Sequence, residues 1–73
     1  MTLGTWIKVN YSSQAKLNNE LGLGKNTVTR WFNTDPKRLF LYIPQLSKAS
    51  DTKLEELIQM IEERCEDVRA LRG

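Results

Sequence analysis

The stretch from Ser13 to Asn33, SQAKLNNELGLGKNTVTRWFN, constrains this chain more than any other. It reads as two short helices hinged at Gly22. Leu17 and Leu21 stand four apart and so share one face of the first helix. Ser13 is the expected N-cap, its hydroxyl able to accept an orphan N–H of the first turn. Gly22 follows the last apolar position, where a helix-ending residue adopts positive φ and glycine does so without a Cβ clash. Leu23 can fold back onto the helix end as the apolar partner of such a cap. A second helix is expected over residues 25–33, with Val28 and Trp31 on its inner side. Its outer side carries Asn26, Thr29, Arg30 and Asn33 at i, i+3, i+4 and i+7, with Lys25 leading, and nothing in that stripe is acidic.

The order glutamine, leucine three on, turn glycine, apolar residue, then Thr-Val-Thr-Arg-Trp resembles the helix-turn-helix of phage Cro and repressor-type DNA-binding proteins. The close match covers about a third of the chain, and the outline extends over the first fifty residues. The resemblance implies that Gln14 opens the motif, Leu17 and Leu21 fill its first helix, and Gly22 and Leu23 make its turn. Val28 and Trp31 would then anchor the second helix, and Lys25, Asn26, Thr29, Arg30 and Asn33 would face bases in the major groove. There is one departure. Where the family carries a small residue after the motif's first leucine, this chain has Asn18. Either the two helices cross more loosely there, or the amide finds a partner inside the crossing.

The net charge of +2 conceals a polarity. Residues 1–50 hold seven basic and two acidic side chains, a balance of +5; from Asp51 onward four basic and seven acidic ones give −3. With the motif, the basic part points to a polyanion partner. Histidine is absent and cysteine occurs once, at Cys65. No intrachain disulfide or thiolate metal site can form, and the commonest general base is missing. No catalytic residue, metal or cofactor is expected. Neither a secretory leader nor a long apolar run is read, so a cytoplasmic location is expected, with no membrane partner and no small-molecule substrate.

Elsewhere the chain reads as helical throughout. Thr2 caps a first helix with Leu3, Trp6 and Ile7 on one face, weakened by Gly4 by roughly 1 kcal/mol relative to alanine. Trp6 and Trp31 are read as core partners rather than a platform for bases. Asp35 and Pro36 form an N-cap and N1 pair for a helix over residues 37–43, with Leu39, Phe40 and Ile43 closing the core. Pro44 should turn Ile43 away from helical dihedrals and end that helix, with a brief turn over residues 45–49 after it. Thr52-Lys53-Leu54-Glu55 is a capping box. Beyond it, Leu54, Ile58, Ile61, Cys65 and Val68 are spaced 4, 3, 4, 3, a short coiled-coil seam whose distal end outreaches so small a core.

The expected fold is therefore all-α: a helix-turn-helix domain of four to five short helices over residues 1–50, and a longer C-terminal helix over residues 51–73. The expected function is a repressor-like, sequence-specific regulator that binds double-stranded DNA at a pseudo-palindromic operator. It would bind as a homodimer paired through Leu54, Ile58, Ile61, Cys65 and Val68. Ser13, Gln14, Lys37 and Arg38 are the expected phosphate contacts. The alternative is a helix-turn-helix protein–protein module, an antirepressor or inhibitor of a host protein, that does not rely on DNA.

Overall fold

Thr2 opens the first helix as its sequence suggests: its Oγ1 accepts the Thr5 N–H at 3.2 Å, and α1 runs Leu3–Tyr11. The computed structural model describes residues 1–72. Five α-helices follow in order, α1, α2 (Gln14–Glu20), α3 (Thr27–Thr34), α4 (Ile43–Ser50) and α5 (Leu54–Arg72), with a 3-10 helix, Pro36–Tyr42, between α3 and α4. No strand occurs among the described residues. The architecture is the all-α one expected.

One core joins every element. Leu3, Trp6 and Ile7 of α1, Leu17 of α2, Val28 of α3, Leu39, Ile43 and Leu46 meet Leu57, Met60 and Ile61 of α5. Trp6 is buried and Trp31 half-buried against this core, each beside a tyrosine: Tyr11 at 5.7 Å and Tyr42 at 6.1 Å between ring centroids. A Cβ at Gly4 would lie 3.4 Å from the tip of the Phe32 ring, an ordinary van der Waals contact.

Four local expectations are corrected. The segment after Pro36 winds as a 3-10 helix; the Asp35 carboxylate pairs with Arg38 at 3.1 Å and makes no cap bond to the backbone. Leu39 and Ile43 are buried, but Phe40 faces outward. Ile43 is helical (φ −54°, ψ −48°), because Pro44 sits in the first turn of α4, where a missing N–H removes no helix bond. The capping box does not form. Thr52 Oγ1 accepts the indole N–H of Trp6 at 3.0 Å and the Ser50 hydroxyl at 2.8 Å, and α5 starts at Leu54.

The long helix also lies differently from expectation. At 1.5 Å per residue its 19 residues span about 28 Å, within the 34 Å long axis of the molecule. It runs as a spine along the body rather than projecting from it. Ile61 is fully buried and Val68 is 4% exposed, so both serve this chain's own interior. Ile61→Asp would place an unpaired charge there, costing several kcal/mol, comparable to the whole stability of a small domain, about 5 kcal/mol. The expected outcome is loss of the cooperative thermal melt. Ile58→Asp, at a position 39% exposed, should keep a cooperative melt. Circular dichroism on both variants checks the pair.

Candidate nucleic-acid interface

The hinge is built from backbone bonds that glycine permits. Ser13 Oγ accepts the Lys16 N–H at 3.1 Å and starts α2. At its other end Gly22 takes φ +67°; its N–H reaches Asn19 O at 3.0 Å and the Leu23 N–H reaches Asn18 O at 3.1 Å. These two bonds are the paired closure of a glycine-terminated helix, and Leu23 packs against the core as its apolar seal. Any other residue at 22 would meet open space but a strained φ.

Asn18 resolves the departure from the family pattern in favour of a bonded amide. It is 5% exposed. Its Nδ2 donates to Leu23 O at 3.1 Å and Gly24 O at 2.8 Å, and its Oδ1 accepts the Val28 N–H at 2.7 Å. Thr27 reinforces the entry, its hydroxyl donating to Gly24 O at 2.7 Å. Neither Thr27 nor the threefold role of Asn18 was foreseen, since both depend on how the turn folds back.

The second helix begins two residues later than expected. Lys25 and Asn26 precede α3, with Asn26 at its N-cap position in the left-handed region (φ +61°) and no side-chain cap bond. Its amide is thus left free. Lys25, Asn26, Thr29, Arg30 and Asn33 are all exposed, while Val28 is buried and Trp31 half-buried behind them. Among the described residues the side chains of Lys25, Asn26, Thr29 and Arg30 make no hydrogen bond, and the one ion pair is Arg38–Asp35. Asn33 differs. Its Nδ2 donates to Thr29 O at 2.9 Å and its Oδ1 accepts from Arg64 at 3.4 Å.

The far end of α3 is held by cations from α5. Arg64 donates through Nε to Phe32 O at 2.9 Å, with its guanidinium 4.0 Å above the Phe32 ring. Arg72 donates to Thr34 O at 2.9 Å. Cations on these terminal carbonyls also oppose the partial negative charge of a helix C-terminus. Sequence reading missed both, because nothing local to residue 64 or 72 announces residues 32–34.

The remaining expected site residues are scattered. Ser13 is committed to its cap, and Gln14 is half-buried beside Lys8 at the mouth of a depression of about 550 Å³. Lys37 and Arg38 are exposed, Arg38 bound to Asp35. The expected dimer stripe divides: Leu54 and Ile58 are exposed, Cys65 is half-buried, and Ile61 and Val68 are buried within the chain. Leu54 and Ile58 instead join Phe40, Ile43 and Pro44 around an apolar depression of about 520 Å³. Burial pushes the Cys65 thiol above its ordinary pKa. No helix of the described residues is long and apolar enough to cross a membrane. No family model, curated protein or solved structure matches this chain.

Asn18 yields a sharp test. Asn18→Ala would leave the Leu23 carbonyl and the Val28 N–H without their partner, while the Gly24 carbonyl keeps Thr27, at about 1–3 kcal/mol for each unsatisfied group. A loss of at least about 2 kcal/mol is expected in urea melts. Asn18→Asp keeps the acceptor for Val28 but turns an oxygen toward the two carbonyls, so it should not restore stability. A wild-type-like midpoint for either variant would contradict the bonded arrangement.

Proposed function

We propose that this chain is a sequence-specific double-stranded DNA-binding protein, a repressor-like transcriptional regulator acting as a homodimer. The observation that carries the reading is the free polar face of Lys25, Asn26, Thr29 and Arg30. It contains no acid, and it is presented by a turn that the buried Asn18 amide ties to the start of α3. Unpaired donors are what base readout requires, since an N–H or O–H already bonded within the protein is not available to a base edge.

Arg30 suits guanine, where a guanidinium pairs with O6 and N7; Asn26 suits adenine, through N6 and N7. Thr29 offers a methyl to thymine or a hydroxyl to a base or phosphate, and Lys25 serves either role. Asn33 is reassigned from reading to holding the end of α3. Lys37, Arg38 and the Ser13–Gln14 helix start are phosphate contacts, with Lys8 beside the latter. In the dimer, Leu54 and Ile58 with Phe40 replace the longer seam expected from spacing, and two copies of α3 would read half-sites about 34 Å apart. A thiol raised by burial and a chain without histidine give no support to an enzymatic role.

The apolar depression around Leu54 and Ile58 equally favours a second reading, a module that engages another protein and does not use DNA. Retention on heparin and on nonspecific duplex at low salt separates the two. For the DNA reading, Arg30→Ala should lower specific affinity by roughly 1–3 kcal/mol and relax base preference at one position. Lys37→Ala should weaken all duplexes alike. Selection of sites from random DNA by the wild type and both variants measures this; an Arg30→Ala profile identical to wild type would refute the assignment of α3.

Sedimentation checks the dimer. Wild type should associate at micromolar concentration and Ile58→Asp should remain monomeric, with half-site binding retained and palindromic preference lost.

A further inference from the structure

We propose that the depression where Lys37, Arg69 and Arg72 converge, at the far end of α3, binds a phosphate of the nucleic-acid backbone. The proposal rests on the DNA-binding reading and adds to it a contact supplied by the otherwise acidic helix α5. The depression measures about 170 Å³, and its walls include buried Pro36 and Val68 beside half-buried Cys65. Several waters at about 30 Å³ each would fill it, so a phosphate group can enter.

The charges favour such a guest. Lys37, Arg69 and Arg72 are exposed on its rim. The one acid in its walls, Asp35, is offset by Arg38 at 3.1 Å. Arg69 and Lys37 have no side-chain hydrogen bond or ion pair among the described residues, where Arg38–Asp35 is the one ion pair. Arg72 uses one nitrogen on Thr34 O at 2.9 Å, leaving other N–H groups of its fork for a phosphate oxygen. On its own, a helix C-terminus would repel a phosphate with about half an elementary charge. Three cations at this end of α3 reverse that sign.

Position supports the same guest. Thr34, the last residue of α3, and Lys37, three residues past it, line the same depression, so it adjoins the far end of that helix. A phosphate held here would fix α3 at its far end, setting register without reading sequence.

The test measures duplex binding against salt for wild type, Arg69→Gln, and Arg69→Gln with Lys37→Gln. Each phosphate contact removed should flatten the slope of log K against log salt by about 0.9. The single variant should therefore lose part of one such step and the double variant about all of it, equally on specific and random duplexes, with unchanged thermal melts. Inorganic phosphate, titrated while the Arg69 side-chain resonances are followed, distinguishes a free-anion site. Resonances that move with phosphate while the duplex slope of Arg69→Gln stays at the wild-type value would overturn the backbone assignment. An unchanged slope in Arg69→Gln, beside an altered base preference in Arg30→Ala, would overturn this site and leave the DNA reading standing. A wild type with no salt-dependent duplex binding would overturn both.

Discussion

Asn18 Nδ2 donates to the carbonyls of Leu23 and Gly24 while its Oδ1 accepts the Val28 N–H, so one buried side chain ties α2 to the turn and the turn to α3. Among the described residues the Leu23 carbonyl and the Val28 N–H have no other partner, while the Gly24 carbonyl also accepts from Thr27. The two carbonyls lie past the end of α2, and the Val28 N–H is among the first four of α3, which have no acceptor within their own helix. The residue that would ordinarily serve, the N-cap Asn26, stands in the left-handed region and makes no cap bond. Asn18 performs the capping from the preceding helix. The Asn26 amide is consequently left over, on the face proposed to meet DNA.

The same economy of partners governs the other end of α3. Its final carbonyls are met by Arg64 and Arg72, whose helix reaches them only because Leu57, Met60 and Ile61 lie in the common core. Apolar burial along α5 sets the position of the spine, and the arginines convert that position into a fixed helix end. Asn33 sits where these effects meet, between Thr29 O and Arg64. Its side chain therefore belongs to the frame of α3.

Most helices and most of the core were legible from periodicity and local chemistry: Thr2 and Ser13 as caps, Gly22 at positive φ, and Leu3, Trp6, Ile7, Leu17 and Val28 inside. Misreadings arose wherever a distant group competed for a local one. Thr52 has the right spacing for a capping box, yet the Trp6 indole, 46 positions away, takes its hydroxyl. Ile61 and Val68 have seam spacing, but spacing cannot distinguish an apolar stripe that faces its own core from one that faces a second chain. Asn26 was legible as an exposed polar residue, though its place just before the helix depends on a turn that Asn18 determines. The Arg64 and Arg72 contacts had no local signature at all.

Charge follows the same logic. Along the chain, residues 1–50 are basic and the rest acidic, which suggests a basic reading domain and an acidic appendage. In space that division is crossed. Of the four cations after residue 50, Arg64 and Arg72 bond the end of α3 and Arg69 lies with Arg72 and Lys37 around one depression; only Lys53 stays elsewhere. The acids at Glu62, Glu63, Glu66 and Asp67 remain exposed on the same helix. A helix that looks unsuited to a polyanion thus brings Arg64, Arg69 and Arg72 to the end of α3, with Glu63 and Asp67 beside Arg64 and Phe32 around a neighbouring depression. Since the last turn of α5 both supports α3 and carries two of the three clustered cations, local fraying there would loosen the helix and disperse the charge together. Under the proposed function, the fold's C-terminal turn and its affinity for DNA are then linked through Arg72, which bonds Thr34 with one nitrogen and faces the depression with the rest of its fork.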